Sequence, residues 1–296
     1  MQTQPSLIAV DMDGTFLTDA KTFDTERFSA ILDRLDARGI RFVVASGNTY
    51  AKLQDYMRGF ENRGLIYIAE NGAYLADDSG QLAVHPFREE DVPAIYEVLD
   101  GLKQIGLLVC TTEGIFLPKD RREQIVHVIR NYFEDTGQSI PDTLTLEDFA
   151  GFFFPGAILV DSIEEVRGAP IKFPLLTPPA QTQSINAHLR EVLPEGVTSL
   201  VSGFGAIDLV CMGVNKATGL QDLCERFGYS PEGILAFGDG ENDSRMLSFA
   251  GHGVATGNAA PSVKELADEV IGTNEEQAVL SYLEDLLDAL DARDAS

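Results

Sequence analysis

The stretch IAVDMDGTFL, residues 8–17, decides how the rest of the chain is read. An apolar run ends in two aspartates, Asp11 and Asp13, with Gly14 and Thr15 immediately behind them. A short continuous apolar run suits a strand buried on both faces. Ionised carboxylates at the end of such a strand are costly to bury unpaired, so they need a metal, a cation or a solvated turn. Asp-Gly pairs alone are usually turns. The remaining segments decide between these readings.

The sequence around this stretch alternates regularly. Residues 41–45 (RFVVA) and 65–69 (LIYIA) repeat the buried-strand signature, and residues 25–38 and 49–58 have helical periodicity. Short apolar runs separated by such helices imply βαβ units and a parallel sheet. Residues 74–84 alternate around Asp77-Asp78-Ser79-Gly80, a hairpin signal. The same grammar returns late, with helices expected at 216–227, 242–249 and 275–292 and strands at 234–237, 253–256 and 269–271. Between the two blocks the pattern differs. Helices are expected at 89–104, 121–134 and 183–193, and strands at 107–112, 114–117, 198–201 and 206–211, with irregular Pro- and Phe-rich sequence before the last helix. This reads as an α+β module, residues 85–211, inserted into an α/β domain made of 1–84 and 212–296.

Composition excludes some partners. Over 296 residues, Asp and Glu total 47 against 22 Lys and Arg, a formal charge of −25 that repels nucleic acid and anionic membranes. A high-salt habitat or selection for solubility would each account for it. No apolar stretch approaches a membrane span, and MQTQPSL at the start has no signal-peptide pattern. Three cysteines, Cys110, Cys211 and Cys224, without CxxC spacing suit reduced thiols in a cytoplasm.

In an open parallel sheet, ligands bind beyond the carboxyl ends of the strands. Those positions hold Asp11–Thr15, Ser46-Gly47-Asn48, Glu70-Asn71-Gly72 and GDGEND at 238–243, and Lys216 opens the helix after the insert. Each has a bland alternative. Ser46 could cap a helix, Lys216 could be a solvated surface charge, and Asp243 could be an acid at a helix start. An EF-hand is excluded, because counting from Asp11 puts Phe16 and Thr22 at the required Gly and Glu, and counting from Asp239 puts Ser244 and Ala250 there. The alternatives are individually strong and jointly weak, because all these positions fall at equivalent element ends.

Asp11-x-Asp13-Gly14-Thr15, Ser46-Gly47, Lys216 in GVNKATGL and GDGENDSRML at 238–247, in that order, resemble the four motifs of the haloacid dehalogenase-like phosphohydrolases. The NGA at 71–73 and Gly257-Asn258 look like the Cof-type branch, whose large cap lies between the second and third motifs. The resemblance implies a Rossmann-like, doubly wound, mostly parallel core sheet with an inserted α+β cap that closes over the site. It also implies a Mg²⁺-dependent phosphatase of small phosphate esters, sugar phosphates first and cofactor phosphates next, working through an aspartyl-phosphate. Asp11 would be the nucleophile and Asp13 the general acid and base. Asp11, the Asp13 carbonyl and Asp239 would hold Mg²⁺, with Asn242 and Asp243 behind them, and Ser46, Gly47 and Lys216 would hold phosphoryl oxygens. The alternatives are a phosphomutase and a catalytically silent sugar-phosphate-binding protein. A monomer or homodimer is expected.

Two places depart from, or add little to, the resemblance. Asn48 stands where many relatives carry Arg, removing an expected positive charge. Asn48, Asn71 and, in the insert, Lys172 are possible substrate contacts; Lys172 would otherwise be a plain surface lysine. Phe152, Phe153, Phe154 and Pro155 would line a pocket or pack the cap against the core.

Overall fold

A computed structural model describes residues 4–135, 155–201 and 205–295. The aromatic run at Phe152, Phe153 and Phe154 lies outside the described residues. The chain divides into two compact units, Met1–Ala83 with Val214–Ser296, and Val84–Gly213.

The first unit is built on the opening stretch. Strand β1 (Leu7–Asp11) pairs in parallel with β2 (Arg41–Ala45) on one side, and β2 with β3 (Ile66–Ala69). The hairpin strands β4 (Tyr74–Asp77) and β5 (Gly80–Val84) extend that side, β4 antiparallel to β3. β1 itself lies near the centre of the sheet. On its second side the later strands β13 (Ile234–Gly238), β14 (His252–Ala255) and β15 (Glu269–Val270) follow, all parallel. The chain therefore winds outward from β1 in both directions, and β1 marks the topological switch point where α/β sheets bind ligands.

Alternation along β1 explains its unbroken apolar run. Ile8 and Val10 face one layer, with Phe28, Ile31 and Leu35 of α1 (Thr25–Ala37), Leu53 of α2 (Tyr50–Tyr56), and the leucines of the C-terminal helix Ala278–Asp294. Leu7 and Ala9 face the other, with Leu220 and Leu223 of the helix Lys216–Phe227 and Met246 and Leu247 of the helix Ser244–Phe249. Both faces are covered, as a parallel sheet requires. Asp24 starts α1 by accepting from the backbone N–H of Glu26 and Arg27.

The second unit holds α3 (Val92–Asp100), the short strands β6 (Gly106–Leu107), β7 (Val109–Thr111) and β8 (Gly114–Pro118), and α4 (Arg122–Asp135). After these come β9 (Ile158–Val160), β10 (Pro170–Leu176), α5 (Thr182–Val192), β11 (Val197–Val201) and β12 (Ala206–Cys211). The sheet order is β11-β12-β10-β7-β8-β9, with β6 also pairing β10. Phe173, Leu175, Ile207 and Leu209 pack with Ile95 and Leu99 of α3 and Ile185 and Leu189 of α5. With the later helices now in order, Lys216–Phe227 is α6, Ser244–Phe249 α7, Pro261–Leu266 α8 and Ala278–Asp294 α9.

Two expectations fail here for one reason. The irregular Pro-rich stretch contains β9 and the interior strand β10, and the single strand expected at 107–112 is split at Leu108. Leu175 pairs with Leu107 and Lys172 with Cys110, a register that sets Pro174 opposite Leu108. Proline has no N–H to return, so only the Leu108 N–H to Pro174 carbonyl bond forms, at 2.9 Å, and the ladder drops out.

Candidate active site

Asp11 is the last residue of β1 and is 5% exposed. Lys216 is the first residue of α6, and the turn before it is fixed by a reciprocal cap. The Asn215 side chain accepts from the Ala217 N–H at 3.0 Å, and the Thr218 hydroxyl accepts from the Asn215 N–H at 3.1 Å. Gly72, at φ +100°, allows the backbone after β3 to approach this cap; a Cβ there would sit 2.0 Å from the Asn215 carbonyl oxygen. The result is a wholly buried Lys216 whose Nζ donates to Asp11 Oδ1 and Asp243 Oδ1, both at 2.5 Å. It is not a solvated surface charge.

Asp243 has no oxygen to spare. Its Oδ2 accepts from the backbone N–H of Asp239 at 3.0 Å and of Gly240 at 2.9 Å. Asp239 accepts from the Thr15 hydroxyl at 2.8 Å. Gly14, at φ +82°, makes that approach feasible, since a Cβ there would lie 2.5 Å from Asp239 Oδ2. Asp11, Asp239 and Asp243 thus each bring a carboxylate oxygen within 4.8 Å of the others. Burial, then the Asp243 charge, push the Asp11 carboxyl well above its ordinary range, with Lys216 pulling the other way. Burial also raises Asp239, partly countered by the Thr15 hydrogen bond. For Lys216, burial acts to release the proton, but the Asp11 and Asp243 charges outweigh it and hold the ammonium above its usual range.

A second cluster surrounds Asp13. Asn48 Nδ2 donates to Asp13 Oδ2 at 2.6 Å and to Ser46 Oγ at 3.1 Å, and the Asn48 N–H also reaches Ser46 Oγ at 3.1 Å. Ser46 does not cap α2; Thr49 does, accepting from the Lys52 N–H at 3.2 Å. Lys21 Nζ donates to Asp13 Oδ1 at 2.5 Å. Sequence reading missed Lys21, because a lone lysine in a polar turn carries no motif. Gly47 lies against the Asn71 side chain, which accepts from Asn242 Nδ2 at 3.2 Å. Asn258 Nδ2 donates to the Gly14 carbonyl at 2.7 Å, and the buried Asn274 ties Asn258 to the Leu17 carbonyl.

The first unit therefore brings together Asp11, Asp13, Ser46, Gly47, Asn48, Asn71, Lys216, Asp239, Asn242 and Asp243. Lys172 belongs to the second unit. It is 4% exposed and 4.0 Å from Asp208, so it is no surface lysine.

The donor set is oxygen only, which suits a hard divalent cation such as Mg²⁺. With Asp243 committed to Lys216 and two N–H groups, Asp11 and Asp239 are the carboxylates that fit the ion best.

The family profile described as haloacid dehalogenase-like hydrolase matches residues 8–283. The chain is 30% identical over 281 residues to the 5-amino-6-(5-phospho-D-ribitylamino)uracil phosphatase YbjI of Escherichia coli, spanning 95% of this chain and 96% of that one. It is 29% identical to YitU of Bacillus subtilis, which carries the same phosphatase name, over 96% and 98% of the two chains. Among solved structures, SMU.1108c of Streptococcus mutans superposes with a TM-score of 0.78 at 29% identity, covering 96% of this chain and 99% of that one.

Proposed function

The chain belongs to the haloacid dehalogenase-like hydrolases and is a phosphoric monoester hydrolase; on that premise, we propose that it is a Mg²⁺-dependent phosphatase of small alkyl phosphates, sugar and sugar-alcohol phosphates foremost. The observation that carries this reading is Asp11, buried at the end of the central strand with Lys216 Nζ at 2.5 Å and Asp239 beside it. A carboxylate so placed is held in one orientation, as attack on phosphorus requires. The ester carried by the ribityl chain of the YbjI substrate belongs to the same chemical class.

In this reading an Asp11 oxygen attacks phosphorus, the bond to the leaving oxygen breaks, and the Asp13 carboxyl gives that oxygen its proton. The products are the alcohol and an aspartyl-phosphate. Water then attacks the phosphorus, Asp13 takes the water's proton, and Asp11 and inorganic phosphate are released. Ser46, the Gly47 N–H and Lys216 hold the phosphoryl oxygens, a task of positioning and charge stabilisation. Asp11, Asp239 and the Asp13 carbonyl would hold Mg²⁺, which would supply charge neutralisation at the phosphoryl group. Asn242 and Asp243 keep these groups in place. The second unit is proposed to select among esters, with Lys172 as its candidate. Cytoplasmic residence belongs to the same proposal, supported by three cysteines that are free thiols.

The test is phosphate release from a panel of small esters. Turnover is expected with Mg²⁺, and its loss on chelation and in Asp11→Asn. Full activity in EDTA, or in Asp11→Asn, would refute the reading.

A further inference from the structure

We propose that Lys21 is the positioning residue for Asp13, fixing one carboxylate oxygen so that the other faces the leaving group. This rests on the role of Asp13 argued above. Three observations carry it. Both Asp13 oxygens are engaged, Oδ1 by Lys21 Nζ at 2.5 Å and Oδ2 by Asn48 Nδ2 at 2.6 Å. Asn48 has a second acceptor in Ser46 Oγ at 3.1 Å, so Oδ2 can exchange its partner for the leaving oxygen while Lys21 keeps its hold on Oδ1.

The turn that carries Lys21 is built to place it. The Thr18 N–H donates to the Thr22 carbonyl at 2.9 Å and the Lys21 N–H to the Thr18 carbonyl at 2.8 Å, closing a tight loop. Its far side is tied to the segment before α9. The Asp19 N–H donates to Glu275 Oε1 at 2.5 Å, and Asn274 Nδ2 to the Leu17 carbonyl at 3.0 Å and Asp19 Oδ1 at 3.2 Å. Within this loop Lys21 itself takes the left-handed conformation, φ +59°. A lysine in that region is strained, and such strain persists where the surroundings over-determine it, often at functional sites.

The ion pair does not explain the turn by stability alone. Lys21 and Asp13 side chains are 50% and 37% exposed, and pairs so open to water contribute little to folding. What the pair fixes is direction. It also returns a positive charge to the neighbourhood in which Asn48 supplies none.

The test separates positioning from general loss of structure by varying the leaving group. Lys21→Met keeps the stem and removes the charge; Lys21→Arg keeps the charge. On a primary alkyl phosphate, whose alkoxide needs a proton to leave, Lys21→Met is expected to lower kcat on the order of tenfold with KM little changed, a part of the ~10²–10⁴ that proton transfer supplies. On p-nitrophenyl phosphate, whose leaving oxygen needs little protonation, the first step, read as the nitrophenol burst in single-turnover experiments, should slow by less than about twofold. Lys21→Arg should restore the alkyl rate, and adding Lys21→Met to Asp13→Asn should cost nothing further. Equal losses on both esters, or the same loss in the Asp13→Asn background, would overturn the role of Lys21. If Asp13→Asn alone shows no preference for the activated ester, the role of Asp13 fails and that of Lys21 with it. A normal Asp13→Asn profile beside an unaffected Lys21→Met refutes Lys21 alone.

Discussion

Replacing Lys216 by methionine preserves the volume of the stem and deletes one wholly buried charge. Lys216 is wholly buried, and its two partners, Asp11 and Asp243, are 5% and 0% exposed. The substitution leaves two buried carboxylates without their shared counter-ion. Breaking a buried pair from one side costs about 3–5 kcal/mol, and at about 2–4 °C per kcal/mol for a domain of this size the melting temperature should fall by roughly 6–20 °C. The pH dependence has a definite sign. Burial raises Asp11 above its unfolded value, so its protonated form favours the folded state; that contribution is present at low pH and is lost as pH rises through the raised value. Without Lys216 the upward push is larger, so the penalty should be near its full size at pH 7 and smaller at pH 5. Urea unfolding at the two pH values, without divalent ions, measures both. Adding Asp243→Asn to Lys216→Met should recover part of the loss, because one stranded charge goes with it. A penalty below about 1 kcal/mol that is equal at pH 5 and pH 7 would refute the picture of a dry, charge-coupled cluster.

Three further outcomes are expected. Asp13→Asn should give a burst of nitrophenol from p-nitrophenyl phosphate followed by very slow turnover, and fall by ~10²–10⁴ on alkyl esters; equal single-turnover losses on both, with no burst, would make Asp13 structural. Gly72→Ala puts a Cβ 2.0 Å from the Asn215 carbonyl oxygen at φ +100°, so thermal unfolding should show a loss of several kcal/mol, whereas a loss under about 1 kcal/mol would mean that the cap can shift. The melting temperature should climb as KCl rises into the molar range, because screening relieves the repulsion of a −25 chain. A falling curve would instead give control to the exposed ion pairs between Arg27, Arg34 and Arg38 of α1 and Glu284, Asp288, Asp291 and Asp294 of α9.

The core was legible because its signals are local and redundant. The continuous apolar runs of β1, β2 and β3 say that both faces are covered, and once the strands are parallel their carboxyl ends must share an edge. Asp11, Ser46, Asn71 and Asp239 then meet without any further information. What stayed hidden depended on pairing across the chain. β10 carries Pro170 and Pro174, which read as breakers until the register shows the partner strand opening at Leu108 to receive one of them. Lys21 was silent for a related reason. Its position follows from a turn tied down by residues 274–277, more than 250 positions away, and no spacing rule reaches that far. The burial of Lys172 beside Asp208 also becomes visible only when β10 and β12 pair.

The charge pattern of the site follows from the same geometry. Asp11, Asp239 and Asp243 crowd one ammonium, and a phosphate ester adds further negative charge to that place. Lys216 is already shared between two carboxylates at 2.5 Å each, which leaves the third N–H of its ammonium for a phosphoryl oxygen. Asp243, in turn, is anchored by the Asp239 and Gly240 N–H groups. The lysine is therefore fixed from behind, and the Asp11 carboxylate is fixed by the lysine. A divalent ion held by Asp11 and Asp239 would offset part of this crowding. Lys216 orients Asp11 through Oδ1, and a divalent ion held there would supply the charge neutralisation that a second anion needs.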